Sequence, residues 1–240
     1  MAGTFLEELD EVIAKNSMLD SPFYQAWRPG ELTRAAIREY AKQRYAFEVA
    51  FPTYVSAVHS RCGNDFIARR MILENLMSEE LWPEHHNQFL PISLHVMPWH
   101  QELWLRFTDG LGIARSEVFS TELLPEILSL IETFRTLTNS EDYRVGLAAL
   151  YAYESQEPLV ARTKRAGLEN HYGIRDPRAL ETFSVHESAD IEHNGREKIA
   201  LVRSCLTPKQ QADAISSAET ASAAWRVFLD SDVFLQYADK

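Results

Sequence analysis

The sequence is poor in cysteine and in long apolar runs, and each shortage excludes a class of protein. Cys62 and Cys205 are the only cysteines in 240 residues, too few for a disulfide framework and suited to a reducing cytosol. No apolar run approaches the roughly 20 residues that a membrane-spanning helix needs. The first twelve residues, MAGTFLEELDEV, are acidic and amphipathic, unlike a signal peptide. We therefore expect a cytoplasmic protein that does not bind a membrane.

Positive charge is also scarce. The chain has 24 Lys and Arg against 35 Asp and Glu, for a net charge of −11, and its basic residues form no cluster. Nucleic acid is therefore not an expected partner. The content of 45% hydrophobic and 11% aromatic residues is sufficient for a packed core, and the length fits one domain spanning residues 1–240.

Glycine is the third scarce residue, with only nine in the chain, and the apolar residues follow helical rather than alternating spacing. The sequence thus predicts an all-α fold, a single bundle of about seven or eight helices. Thr33 is expected to cap a helix that continues to about residue 60 with a kink at Pro52, and 141–169 to form one helix bent at Pro158. Residues 81–98 contain three prolines and predict an irregular segment. The other predicted helices cover 4–16, 21–28, 65–80, 99–109, 122–138, 176–205 and the residues after Thr207.

The segment HESADIEH, residues 186–193, carries the clearest chemical signal. It places His186, Asp190 and His193 at positions i, i+4 and i+7, which share one face of a helix. Two imidazoles and a carboxylate without sulfur suit iron or manganese better than a structural zinc ion. The alternative is a charged, solvated helix face. The metal interpretation therefore requires further inward-facing ligands elsewhere in the chain.

Two glutamates interrupt apolar helix faces and are candidates for such ligands. Glu154 lies in the nearly apolar stretch GLAALYAYESQEP, where a buried carboxylate must be paired or bind a metal. A salt bridge to Arg162 is its alternative. Glu79 closes an apolar stripe that begins at Ile72, although it could instead be solvated together with its neighbour Glu80.

The segment before residue 110 contains candidate histidine ligands, although His100 could instead be a capping or core histidine. His100 lies one turn before an apolar pair at the start of its predicted helix. His85, His86 and His95 compete with it, and His86 has helical i+7 spacing from Glu79. The sequence pattern alone leaves the choice among these histidines open.

These motifs, taken in order, resemble the haem-oxygenase-like dinuclear metal oxidases, within them the group of the chlamydial protein associating with death domains. The resemblance rests on ENLMSEE, HQELWLRFTDGLG, ALYAYESQEP and HESADIEH. It extends over nearly the whole chain through LDSPFYQAWRPGELT, YAKQRYAFEVAFPTYVSAVHSRC, LVARTKRAGL and AWRVFLD. TenA-type thiaminases and pyrroloquinoline quinone synthase share the fold that this implies but lack this ligand set.

The resemblance implies a dinuclear centre, either Fe/Fe or Fe/Mn, which uses O₂ and an external reductant to make 4-aminobenzoate for folate synthesis. It also implies that the ring comes from a tyrosine of the chain itself, which matches Tyr24, and that Lys164 is a catalytic partner or amino donor. The ligands that it implies are Glu79, His100, Glu154, His186, Asp190 and His193. Residues 81–99 form a longer loop than in the group, so His86 or His85 competes with His100.

Without the family, Tyr24 would be an ordinary core tyrosine and Lys164 a surface lysine. Two other functions are considered beside the self-sacrificing synthase. One is a dinuclear iron oxygenase that acts on an external small molecule, and the other is a non-catalytic protein-interaction module. The sequence is compatible with a homodimer but does not decide the oligomeric state.

Overall fold

The computed structural model describes the backbone of residues 2–81 and 99–237, with side chains over the same ranges except residues 2–4 and 188–192. Within these ranges the only β-structure is one isolated bridge, between Leu32 and Tyr237. Eleven α-helices and one 3₁₀ turn, Met18–Asp20, are present there: α1 Ala2–Lys15, α2 Pro22–Trp27, α3 Arg34–Arg61, α4 Phe66–Glu80, α5 Trp99–Gly110, α6 Arg115–Phe119, α7 Pro125–Thr138, α8 Tyr143–Glu154, α9 Glu157–His171, α10 Pro177–Ser204 and α11 Pro208–Leu229.

The predicted all-α fold is confirmed, although the described helices outnumber the seven or eight expected. The short α6 gave no clear periodic signal. The predicted helix 141–169 is two helices, because α8 ends at Glu154 and α9 begins at Glu157 with Pro158 in its first turn. Proline has no N–H to donate to the carbonyl four residues earlier, and it therefore fits the first turn of a new helix. The predicted irregular segment falls almost wholly outside the described residues.

The helix starts follow the capping signals in the sequence. The Ser21 side chain accepts a hydrogen bond from the backbone N–H of Tyr24 at 3.2 Å, and Thr33 accepts one from Ala36 at 3.0 Å. Such caps satisfy N–H groups that lack a partner in the first turn. As predicted, α3 continues through Pro52 to Arg61. Within residues 2–81 and 99–237, no helix combines the length and the apolar character needed to cross a bilayer.

The helices that carry the candidate site pack around α10, which contacts α4, α5, α8 and α9. Aromatic rings fill the interior beside it; the rings of Tyr153 and Trp225, for example, stack with centroids 5.1 Å apart. Phe47 meets Trp225 edge-on at 4.7 Å. The polar side chains of the site are therefore embedded in a large apolar core, where an unpaired charge is costly.

Candidate metal centre

Three acidic and imidazole side chains from three helices converge in the core. Glu79 in the last turn of α4, Glu154 at the end of α8 and His193 in α10 each place a potential ligand atom within 4.8 Å of the others. Their exposed fractions are 2%, 1% and 5%. Because two carboxylates so close together repel one another in a medium of low dielectric constant, the arrangement favours a bound cation. The alternatives of a solvated Glu79 and a solvated histidine face on α10 do not agree with this burial.

His100 and His186 extend the cluster. Nδ1 of His100 lies 2.7 Å from Oε2 of Glu79, and the rings of the two histidines are 4.8 Å apart between centroids. Among the described residues, neither ring nitrogen of His100 has an aligned hydrogen-bond partner, although the side chain is 1% exposed. Nδ1 of His100 and Oε2 of Glu79 are therefore in close contact without the alignment of a hydrogen bond. Two ligand atoms that bind the same cation have this arrangement. The donor set thus fits a metal centre with nitrogen and oxygen ligands.

The remaining predicted ligand, Asp190, cannot be placed in the same way. Its backbone lies in α10, one turn after His186 and about one turn before His193, but its side chain is outside the described residues. His85, His86 and His95 also lie outside them. Five of the six predicted ligands are therefore described, and their side chains lie together in the core.

Asn75 is a part of the site that the sequence did not identify as functional. It lies one turn before Glu79 on α4, and its Nδ2 donates to both carboxylate oxygens of Glu154, at 3.0 and 3.1 Å. Hydrogen bonds to a carboxylate favour its charged form and fix its orientation. Glu197, one turn after His193 and 1% exposed, was also missed. The signal for both is a polar residue on the same helix face as a predicted ligand.

Tyr24, on α2, is fully enclosed in the core. It is 1% exposed, and its hydroxyl lies 3.1 Å from the hydroxyl of Tyr40. Burial raises the pKa of Tyr24 well above its ordinary value, and the nearby Tyr40 and Glu157 raise this pKa further. Tyr24 is therefore a neutral phenol at physiological pH, and its hydroxyl proton is held within a buried pair.

Lys164 is not the surface lysine that its basic neighbours suggested, since only 1% of it is exposed. Its Nζ lies 5.6 Å from the ring centroid of Trp104 and 5.8 Å from that of Phe183. Trp104 follows His100 by four residues on α5, and Phe183 precedes His186 by three on α10. Residues at these spacings share a helix face, so the amine lies about one helical turn from two of the candidate ligands.

A buried ion-pair network next to Lys164 was not foreseen. Oε2 of Glu157 lies 3.6 Å from Nζ of Lys164, and Oε1 accepts from Nη2 of Arg44 at 3.3 Å. Arg44 also pairs with Glu48 and donates to the hydroxyl of Tyr153 at 2.7 Å. In the sequence, Arg44 and Glu48 have the i, i+4 spacing of an ordinary surface pair. Only the interhelical packing reveals that they are buried.

Residues 38–226 match the family described as iron-containing redox enzymes, whose model represents a haem-oxygenase-like group. The chain belongs to this family. The resemblance recognised in the sequence is thereby confirmed, and membership agrees with the buried nitrogen and oxygen donors of the site.

Individual relatives support the same assignment. The chain is 36% identical over 236 residues to a 4-aminobenzoate synthase from Nitrosomonas europaea, covering 95% of this chain and 90% of the relative. It is 37% identical over 228 residues to a 4-aminobenzoate synthase from Chlamydia trachomatis, covering 95% and 91%. A TenA homologue from Pseudomonas syringae has the same fold, with a TM-score of 0.74 at 15% identity, covering 95% and 90%.

Proposed function

We propose that this chain forms 4-aminobenzoate in an O₂-dependent reaction in which its own Tyr24 supplies the ring and Lys164 assists. The names of its relatives and the membership of a redox family support the product and the reaction class. The observation that carries the proposal is the burial of the Lys164 amine between Trp104 and Phe183, each about one turn from a candidate ligand histidine. An amine in that position has no evident purpose in a protein-interaction module.

The proposed ligands of two metal ions are Glu79, His100, Glu154, His186, Asp190 and His193. Their nitrogen and oxygen donors suit an Fe/Fe or an Fe/Mn pair. When bound, the metal pair supplies the oxidising chemistry with O₂ and an external reductant, which no amino-acid side chain can supply. The carboxylates of Glu79 and Glu154 would neutralise the cations, and Asn75 would hold Glu154 in its binding orientation.

The enclosed position of Tyr24 supports its role as an internal substrate. A phenol fixed beside the metals would have a very high effective concentration, and its enclosure would keep water away from it. The hydroxyl pair with Tyr40 and the raised pKa keep the proton on the Tyr24 phenol until the reaction begins. Lys164 could act as base, proton shuttle or nitrogen source. Each chain would then react about once, since the excised ring cannot be replaced.

One observation favours a second candidate, an oxygenase that acts on an external small molecule. A groove of about 480 Å³ lies between α1, α8 and α10. Two residues of its lining, Ser155 and Asn194, directly follow the candidate ligands Glu154 and His193 in the chain. A small substrate bound there would lie beside the proposed centre, and the reaction could then turn over repeatedly.

Isotope labelling separates the two functions. Protein produced with ring-labelled tyrosine, loaded with iron or with iron and manganese, and supplied with reductant and O₂ is expected to release labelled 4-aminobenzoate without added substrate. Tyr24→Phe should release none and keep its metal content. Tyr54→Phe is the matched control, because Tyr54 is equally buried but donates to the carbonyl of Ile131 at 2.9 Å instead.

Labelled product from Tyr24→Phe would identify another tyrosine as the source. An absence of label in every variant, with repeated turnover of an added small molecule, would support the external-substrate oxygenase. The histidine assignment has its own test, since His100→Ala should lose metal while His86→Ala keeps it. The reverse result would place the ligand in the segment before α5.

A further inference from the structure

Four buried charged side chains form a continuous chain of ion pairs beside the proposed centre. They alternate in sign in the order Lys164, Glu157, Arg44 and Glu48, and none is more than 4% exposed. Two cations and two carboxylates balance, which lowers the cost of burying them. Such a network can stabilise the fold without any further role. The contacts of its individual members indicate whether one of them also positions a reacting group.

Arg44 is the fixed member of the network. Its guanidinium lies 4.8 Å from the ring centroid of Trp104 and 5.0 Å from that of Trp225, and it donates to the hydroxyl of Tyr153. These contacts come from α5, α8 and α11, so three helices restrain the guanidinium. A carboxylate that accepts a hydrogen bond from Arg44 is therefore held in place as well.

Glu157 is the carboxylate shared by both cations. It uses one oxygen for Arg44 and turns the other towards Lys164, which lies seven residues later on the same face of α9. Lysine has four rotatable bonds and a strongly hydrated amine, so a site that needs its nitrogen in one place must restrain it. The two aromatic rings attract the amine without fixing its direction, whereas the Glu157 carboxylate attracts it from one side as an ion pair at 3.6 Å.

We propose that Glu157, held by Arg44, is a positioning residue that places the amine of Lys164 between Trp104 and Phe183. This inference rests on the proposed function, because it explains how an amine that takes part in the reaction would be kept in its position. It extends that function to Glu157, which lies in the first turn of α9 beside Pro158.

The chain offers a closely matched control. Glu48→Gln removes the same buried negative charge from the same arginine as Glu157→Gln, with the same change of atoms. Glu48 pairs with Arg44 from the next turn of α3. A role in balancing the charge of Arg44 would therefore be disturbed by both substitutions, whereas the position of Lys164 should depend on Glu157.

The position of the amine can be measured without activity. The chain has six lysines, so lysine labelled with ¹³C at Cε gives a simple NMR spectrum of the full-length protein loaded with diamagnetic zinc. The two flanking rings should shift the Lys164 signal away from those of exposed lysines. We expect Glu157→Gln to remove this shift and Glu48→Gln to retain it. Glu157→Asp, which keeps the charge and moves the carboxylate by one carbon, should change the signal measurably.

The iron-loaded protein provides the second measurement. We expect the initial rate of 4-aminobenzoate release to fall about 10²-fold in Glu157→Gln, the size of effect that a displacement of about 1 Å produces. Glu48→Gln should keep a rate close to that of the unchanged chain. The proposal is overturned if both glutamine variants alter the Lys164 signal equally, or if Glu157→Gln and Glu157→Asp leave it unchanged. Failure of the unchanged chain to form product would refute the proposed function, while the NMR result would still decide the position of Lys164.

Discussion

The hydrogen bond from Asn75 to Glu154 leads to a quantitative prediction about metal affinity. Its Nδ2 is 3.0 and 3.1 Å from the two carboxylate oxygens, and both side chains are at least 98% buried. In Asn75→Leu, which keeps the number and branching of the side-chain heavy atoms, Glu154 loses this donor. A hydrogen bond to a charged group contributes about 1.5–3 kcal/mol. At about 1.4 kcal/mol per factor of ten, the expected loss of Fe(II) affinity is about 10- to 100-fold.

The affinity can be measured by anaerobic competition of the protein with a chelator for Fe(II). Metal binding also stabilises the folded state, by a free energy that rises with the logarithm of the affinity. The increase in unfolding free energy on adding metal should therefore shrink by about 1.4–2.8 kcal/mol. Asn139→Leu is the control, since it makes the same replacement at an exposed position whose side chain contacts Arg61. An affinity within a factor of about two of the unchanged chain for Asn75→Leu, or an equal loss in both variants, would refute the orientation of Glu154 by Asn75.

Three further predictions follow from the described contacts. His186→Ala should lose at least one metal ion per chain by elemental analysis, and full retention would remove it from the ligand set. Burial and the hydrogen bond to Asp65 raise the pKa of Tyr143 to about 12, from 10.0. As pH rises, the phenol therefore ionises first in the unfolded chain. Between about pH 10 and about pH 12 this group lowers the free energy of unfolding by about 1.4 kcal/mol per pH unit. In urea unfolding across that range, the free energy of unfolding of Tyr143→Phe should fall less steeply with pH than that of the unchanged chain. Gly167→Ala should destabilise the fold by about 1–3 kcal/mol, because its Cβ would lie 2.5 Å from the Trp27 ring, and an unchanged melting temperature would contradict that packing.

The sequence predicted the parts of the site that local spacing encodes. His186 and His193 lie on one face of a helix wherever that helix packs, and Glu154 stands out as a charge in an apolar stretch. The helix cap at Thr33 was predicted for the same reason, since a cap is a local hydrogen bond.

The unforeseen parts depend on contacts between distant residues. Arg44 and Glu157 are 113 residues apart in the chain, and the periodicity of neither helix predicts the contact between them. Without the family resemblance, the charged neighbours Arg162 and Arg165 predict that Lys164 lies on the surface. The sequence predicts a bend at Pro158, whereas the structure has a break before it. Proline occurs both at kinks within a helix and in the first turn of a new helix, and packing decides between the two.

The enclosure of Tyr24 has a consequence for the protein after it has reacted. Its ring packs against Phe23 at 5.1 Å and Trp27 at 6.3 Å between centroids. On the proposed mechanism, removal of the ring leaves a void among these aromatics, and removing a buried aromatic costs about 3–5 kcal/mol. That is a large share of a typical folding free energy of about 5–15 kcal/mol. Chains that have reacted should therefore melt at a lower temperature than chains that have not. The melting curve of a preparation would show what fraction of its chains has reacted, and proteases would degrade the reacted chains preferentially.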